Sequence, residues 1–405
     1  MCQPGRMAST TDAVSIRSLF GISEVPRTLG SSLAGRLPYT AIGLLLILHV
    51  RETGAGYAGG GLVAGAFAVG LAVVAPFIGR LVDVRGQRAV LVPAAIASAV
   101  PLVVIALAPE ATPLAVLAAL AALSGMVHPP ISGATRALWP DIVPVERRHA
   151  IYALESAGVE LTFIVGPLLL VGVVAALASP AVGLIVCAAL LVGGTAAFAT
   201  APSSRRWRPS GAARSFAGAL ASPALLTLLG AVSCMGASFG AIEIAVAAHA
   251  EEHGDPALVG PLLAAWAAGS LIGGLAVARS RAPADPNRRL VAMLGATAVA
   301  DGLVALAPGP ATLAVALVLA GSCIAPAFAT LYAMVADLAR EGTLTESYTW
   351  ITTGITAGVA IGSAVGGGLI DGVSTHAAMG AAAGMVVLAT LITISGIGAR
   401  RSHVA

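Results

Sequence analysis

Residues 79–91 read Gly79-Arg-Leu-Val-Asp83-Val-Arg-Gly86-Gln-Arg88-Ala-Val-Leu91, a short island of charge between two long apolar runs. Residues 57–79 before it and 89–108 after it contain no Asp, Glu, Lys, Arg or His. A hydrocarbon core about 30 Å thick is crossed by about 20 apolar residues in a helix. Each run is long enough, so the island reads as a tight turn between two membrane spans. The same alternation continues to Gly398, in a chain of 405 residues that is 58% hydrophobic and only 10% charged. Such a composition cannot cover a water-facing surface and belongs in a lipid bilayer. A closed barrel would need strands with a period of two, which the Ala, Leu and Gly runs lack. The sequence therefore predicts an all-α membrane protein with twelve transmembrane helices. They fall near 29–50, 57–79, 89–108, 112–136, 151–176, 181–200, 223–249, 257–278, 289–307, 311–337, 347–371 and 377–398.

The arginines orient these helices. With a cytoplasmic N-terminus, the inside loops receive Arg80, Arg85, Arg88, Arg147, Arg148, Arg205, Arg206, Arg208 and Arg214 from the first half. Arg279, Arg281, Arg288, Arg289, Arg340, Arg400 and Arg401 follow in the second, and only Arg51 falls in an outside loop. This bias predicts both termini in the cytoplasm and a multi-pass inner-membrane location. Residues 1–28 carry Arg6, Arg17 and Arg27 without a secretory apolar core, and read as a cytoplasmic tail, partly disordered. All 22 basic residues are arginine, which excludes a Schiff-base or Walker A lysine. Cys2, Cys187, Cys234 and Cys323 are isolated, so neither disulfides nor a metal site are expected from them. No cofactor is expected.

Ala201 to Ser222 is the longest polar interruption and divides the helices six and six. The expected units are a tail (1–28), a six-helix bundle (29–201), a cytoplasmic linker (202–222), a second bundle (223–398) and a short tail (399–405). An offset of 196 residues lays Tyr152 on Tyr348, Gly158 on Gly354 and Gly166 on Gly362. Helices 5 and 11 thus begin alike, as in parallel-repeat transporters.

The 79–91 stretch resembles the loop motif of the major facilitator superfamily: Gly79, Leu81, Asp83, Gly86, Arg88 and Leu91 match, while Val84 and Gln87 replace two customary basic residues. Arg136-Ala-Leu-Trp-Pro-Asp-Ile-Val-Pro144-Val-Glu-Arg147-Arg148 is similar to the family's loop between helices 4 and 5. In the second half, Gly274 to Arg289 keeps the glycine and arginines but has no Asp in the matching place. The resemblance implies two pseudo-symmetric bundles working by alternating access, with Gly79, Asp83, Arg85, Gly86, Arg88 and Arg136 at the gate. It implies that Asp83 holds the outward-open state by pairing at the cytoplasmic ends of neighbouring helices. A carboxylate there can meet Arg136 and the N-terminus of helix 11, whose Thr343-Leu-Thr-Glu346 start has the pattern of a capping box. Arg147 and Arg148 read as solvated topology markers.

Ionisable residues inside a span cost on the order of 3 kcal/mol each and need a reason. Arg36 falls in helix 1, His128 in helix 4 before Pro129 and Pro130, Glu155 and Glu160 in helix 5, and Glu243 in helix 7. Glu155 and Glu160 stand about 140° apart around the helix and cannot share a partner face. We expect Arg36 to pair with Glu160, leaving Glu155 near the interface within reach of water or Arg136. His128 and Glu243 are expected at a cavity, Glu243 after a Gly236–Gly240 stretch able to open helix 7; a core histidine and a snorkelling acid are their alternatives. Asp301 reads as interfacial. Glu160, or failing it Glu243, is the candidate carrier of a coupling proton.

Gly158, Gly166 and Pro167 are half of the helix 5 motif of the family's exporters, while the helix 4 arginine of proton antiporters is replaced by Ala121. The expected function is proton-coupled efflux of a small organic solute, by a drug or metabolite exporter acting as a monomer without nucleic acid. A proton symporter for a nutrient and a non-transporting sensor are the alternatives. Gly354, Gly358, Gly362 and Gly366 form a small-residue ridge expected to slide against helix 2. Three soluble-enzyme patterns also occur: Gly54-Ala-Gly56-Tyr-Ala-Gly59, Gly236-Ala-Ser238-Phe-Gly240, and His249-Ala-Glu-Glu252-His253, which would suit a membrane-edge zinc hydrolase. The first two lack the strand that their chemistry requires.

Overall fold

The computed structural model describes residues 16–175, 178–208, 218–255, 258–280 and 285–402. Cys2, Arg6, Arg214, Arg281 and the expected disorder of the first residues lie outside them. Every regular element among the described residues is helical.

A short α1 (Ile16–Phe20) precedes α2 (Glu24–Arg36) and α3 (Tyr39–Val50), which together make the first span. Helix therefore begins before the expected residue 29, because Leu19 and Val25 are fully buried in the core. The 79–91 turn joins α4 (Gly56–Arg85) to α5 (Gln87–Ala106) through Gly86 alone, at a φ of 93° that an L side chain would resist. The fourth span is broken into α6 (Leu114–Met126) and α7 (Ile131–Ile142), with His128 in the break. Pro129 and Pro130 supply no N–H and exclude helical backbone before them, so the interruption lies in the sequence itself. α8 (Val145–Pro167) runs on as a π-helical segment from Leu168 to Ala175, and α9 (Pro180–Ala199) and the short α10 (Pro202–Arg206) complete the first half.

The second half comprises α11 (Pro223–Glu252), α12 (Val259–Ala278), α13 (Pro286–Ala305), α14 (Pro310–Leu338), α15 (Leu344–Gly372) and α16 (Thr375–Ser402). Among the described residues eleven segments are long and apolar enough to cross a membrane. α13, at the expected ninth span, is not counted with them. It carries Arg288, Arg289 and Asp301.

Three apolar clusters show how the halves meet. At the arginine-rich end a single cluster spans both, from Trp139, Ile151 and Tyr152 to Leu228, Met235, Val335 and Tyr348. Toward the opposite end each half has its own, around Leu45, Leu102 and Leu184 in one and Val246, Leu317 and Met379 in the other. The halves thus share a core at one end only.

The glycine ridge of α15 is a correction. It packs on α11 rather than on α4: a Cβ on Gly358 would lie 2.9 Å from the Ala237 nitrogen, and one on Gly366 3.1 Å from the Ala241 Cα. Gly236 of α11 returns the contact, 3.0 Å from the Ile355 Cα by the same measure. Gly354 meets Leu229 Cδ1 at 2.6 Å, as Gly158 meets Leu33 Cδ1 at 3.0 Å in the other half. Small residues on two neighbours of one bundle let the backbones touch, so the ridge is internal packing. α11 is continuous through Gly236–Gly240 and does not open there.

Candidate functional site

The shared end is held by one acidic side chain from the first half. Asp83, 2% exposed at the end of α4, accepts the Thr345 N–H on Oδ1 at 3.0 Å and the Glu346 N–H on Oδ2 at 2.8 Å. Those are free donors at the N-terminus of α15, where the carboxylate also meets the positive end of the helix dipole. The expected capping box is absent: Thr343 makes no side-chain cap, and Glu346 instead accepts the Ala219 N–H at 3.2 Å. A residue 262 positions away does the capping. One turn back, a Cβ on Gly79 would fall 2.6 Å from Thr349 Oγ1, and one on Gly133 of α7 2.8 Å from the same atom. α15 is thereby wedged against α4 and α7, and Gln87 Nε2 ties the turn to the Ala134 carbonyl at 2.9 Å. Arg85 and Arg88 are exposed beside it.

Arg136 does not reach Asp83. It belongs to a buried ionic cluster one layer deeper. Glu155, 0% exposed, accepts Arg36 Nη1 at 2.9 Å on Oε1 and Trp139 Nε1 at 2.8 Å on Oε2. Arg136 Nε lies 3.1 Å from the same Oε1, although its N–H is not aimed along that line. The Arg136 guanidinium sits 3.7 Å over the Tyr332 ring, a cation–π contact between the halves. Two expectations are corrected here: Arg36 pairs with Glu155, not Glu160, and Glu155 is core rather than interfacial. Arg36 is the last residue of α2, which packs on both α7 and α8, and so reaches Glu155 of α8.

Above this cluster the halves touch through two tyrosines. The Tyr152 and Tyr348 hydroxyls are 2.6 Å apart; Tyr348 donates to the Tyr332 carbonyl at 2.9 Å, and Tyr152 approaches the Arg136 carbonyl at 3.3 Å. Two protons serve three contacts, so the longest is the one left weak.

Glu160 stands apart. Half-buried, about 22 Å along α8 from its start, it accepts Ser270 Oγ of α12 at 3.0 Å and has no ion-pair partner among the described residues. Glu243 is exposed on α11 without a partner among the described residues. His128 is buried, with Nδ1 3.3 Å from Ser98 Oγ and its ring centre 6.0 Å from that of Tyr39 and 5.9 Å from that of Phe67, which is the core-histidine arrangement. Asp301 is buried as well, contrary to the interfacial expectation, and accepts Ser238 Oγ at 2.7 Å. Gly166 packs on Thr40 and the Leu37 carbonyl of the first span, beside Pro167 at the end of α8. Arg147 and Arg148 are more than topology markers: they bond the Ser18 and Pro140 carbonyls at 3.2 and 3.0 Å.

The zinc-hydrolase pattern does not assemble. Glu252 is bonded by the Thr375 hydroxyl, and among the described residues no three His, Cys, Asp or Glu side chains are grouped to hold a metal ion. Tyr332, Trp139, Ser270 and Gly133 are site residues that the sequence reading missed. A signal existed for Trp139, one helical turn after Arg136, since residues three apart share a face.

The family model described as Major Facilitator Superfamily matches residues 28–310. No curated protein matches the sequence. Among solved structures, a bacterial homologue of the iron transporter ferroportin in an outward-facing state is similar at a TM-score of 0.74, with 16% identity over 92% of this chain and 99% of that one. The human organic anion transporter MFSD10 (TETRAN) is similar at 0.71, with 17% identity over 93% and 99%. The E. coli fucose:proton symporter FucP is similar at 0.71, with 15% identity over 92% and 98%. At such identities the likeness concerns the fold. The match over most of the sequence, on a chain whose halves are joined through the Asp83 turn, makes this a multi-pass membrane transporter of the major facilitator superfamily.

Proposed function

We propose that the chain is a proton-coupled exporter that moves a small organic solute across the inner membrane by alternating access, with the arginine-rich end in the cytoplasm. The observation that carries this reading is Glu160: an acid at mid-span, on the seam between the halves, bonded only to the neutral Ser270 of the opposite half. A carboxylate whose surroundings change as the halves rock gains and loses a proton with them. The closed end supports an outward-facing state, since Asp83, Tyr152–Tyr348 and the shared cluster all lie there. Gly166 and Pro167, which match part of the helix 5 motif of the family's exporters, favour export.

A thermal-shift screen of the purified protein against sugars, amino acids, nucleosides and hydrophobic cations identifies a ligand, which is then loaded into proteoliposomes. Export predicts that protons flowing into the cytoplasmic compartment drive the solute out of it. Solute moving in with the proton instead establishes symport, and no movement under either gradient refutes coupling.

A further inference from the structure

A cleft of ≈ 810 Å³ opens at the arginine-rich end of the first half, between the α4–α5 turn and the end of α9. Arg85 and Arg88 line it from the turn, Arg205 and Arg208 from the segment after α9, and no acid is among its lining residues. Four cations around one hollow repel one another unless an anion enters. The 20-residue α5 begins in the wall of this cleft, and no side chain caps it, so its first N–H groups are left for an outside acceptor.

A second observation points to the same occupant. Ser204 lines the cleft and is 2% exposed, yet its Oγ has no hydrogen-bond partner. A hydroxyl donor beside guanidinium groups and a helix N-terminus suits a phosphate oxygen. Above them the wall turns apolar with Val92, Pro93 and Ala196, which continue along α5 and α9 into the span. A free anion makes no use of that wall, whereas an acyl chain does.

We propose that this cleft is a phosphate site occupied by an anionic phospholipid of the adjacent leaflet. The phosphate sits among the arginines and the α5 N-terminus, and one chain lies against Val92, Pro93 and Ala196. Arg85 is two residues from Asp83, so an occupant braces the turn that caps α15 and favours the closed end. The site is independent of which solute is carried or in which direction.

The test titrates the purified full-length protein with phosphatidylglycerol, phosphatidylcholine or inorganic phosphate and reads the thermal unfolding midpoint and lipid retention by native mass spectrometry. Phosphatidylglycerol should bind at least about tenfold more tightly than phosphatidylcholine, and Arg88→Gln/Arg205→Gln should remove that preference. Arg279→Gln/Arg340→Gln, two exposed arginines outside the cleft, should leave it intact. Ser204→Ala, which keeps every charge, should weaken phosphatidylglycerol about threefold. Equal losses in both arginine pairs would reduce the effect to general surface charge and overturn the site. Inorganic phosphate displacing the lipid at equal concentration would overturn the lipid as its source.

Discussion

Tyr152 and Tyr348 bond hydroxyl to hydroxyl at 2.6 Å across a separation of 196 residues, the offset at which the two halves repeat. The carbonyls they approach, of Arg136 and Tyr332, are separated by the same offset. Two equivalent side chains can touch each other only where the pseudo-two-fold axis passes, so this pair marks the axis at the closed end.

Replacing either tyrosine by Phe removes the bond they share and keeps the ring packing, and Tyr348→Phe also removes the bond to the Tyr332 carbonyl. Tyr152→Phe and Tyr348→Phe should each destabilise by about 1 kcal/mol, and the double variant by clearly less than their sum, because the bond is lost only once. Thermal unfolding of the four proteins in detergent gives the cycle. Strict additivity would mean that the hydroxyls do not interact.

Asp83→Asn keeps the shape of the α15 cap but removes its charge. Loss of an anion from a buried helix N-terminus costs about 1 to 2 kcal/mol, a shift of roughly five- to thirtyfold toward the state open at that end. In a background with its native cysteines replaced, Ala153→Cys, buried between α8 and α12, should react faster with a water-soluble maleimide when Asp83→Asn is added. An unchanged rate would remove Asp83 from the latch.

Glu155→Gln leaves Arg36 and Arg136 buried without their anion, and removal of one partner from such a cluster costs about 3 to 5 kcal/mol. Arg36→Met/Glu155→Leu should recover part of that loss, since Arg36 goes with its partner and only Arg136 is left without its anion. Expression and unfolding temperature report both. A Glu155→Gln protein as stable as the wild type would show the cluster to be energetically idle.

The glycines separate packing from gating. Gly362→Leu collides with the α11 backbone at Ala237 and should lower the yield of folded protein. Gly79→Val meets the Thr349 side chain and, at 3.3 Å, the Glu346 Cα, both across the seam, so it should insert normally and fail to close the Asp83 end. The accessibility of Ala153→Cys distinguishes the two outcomes.

Eleven of the spans and the Asp83 turn were legible because hydropathy follows directly from the cost of burying charge in lipid. Helix rotation was not legible. Glu155 and Glu160 differ by five positions, and nothing in their order says which faces Arg36; that depends on where α2 stops at Arg36 and how α7 restarts after Pro130. The Thr343–Glu346 pattern misled because a local cap competes with a distant carboxylate, and Asp83 is better placed. Likewise, a ridge of small residues shows that some helix approaches closely without saying which one.

The most direct test of the account is Glu160→Gln in proteoliposomes loaded with the screened solute. Without its titrating carboxylate the protein should still exchange solute for solute in counterflow, while accumulation driven by a pH gradient falls to background. Full gradient-driven accumulation by Glu160→Gln would contradict the assignment of the proton to this residue.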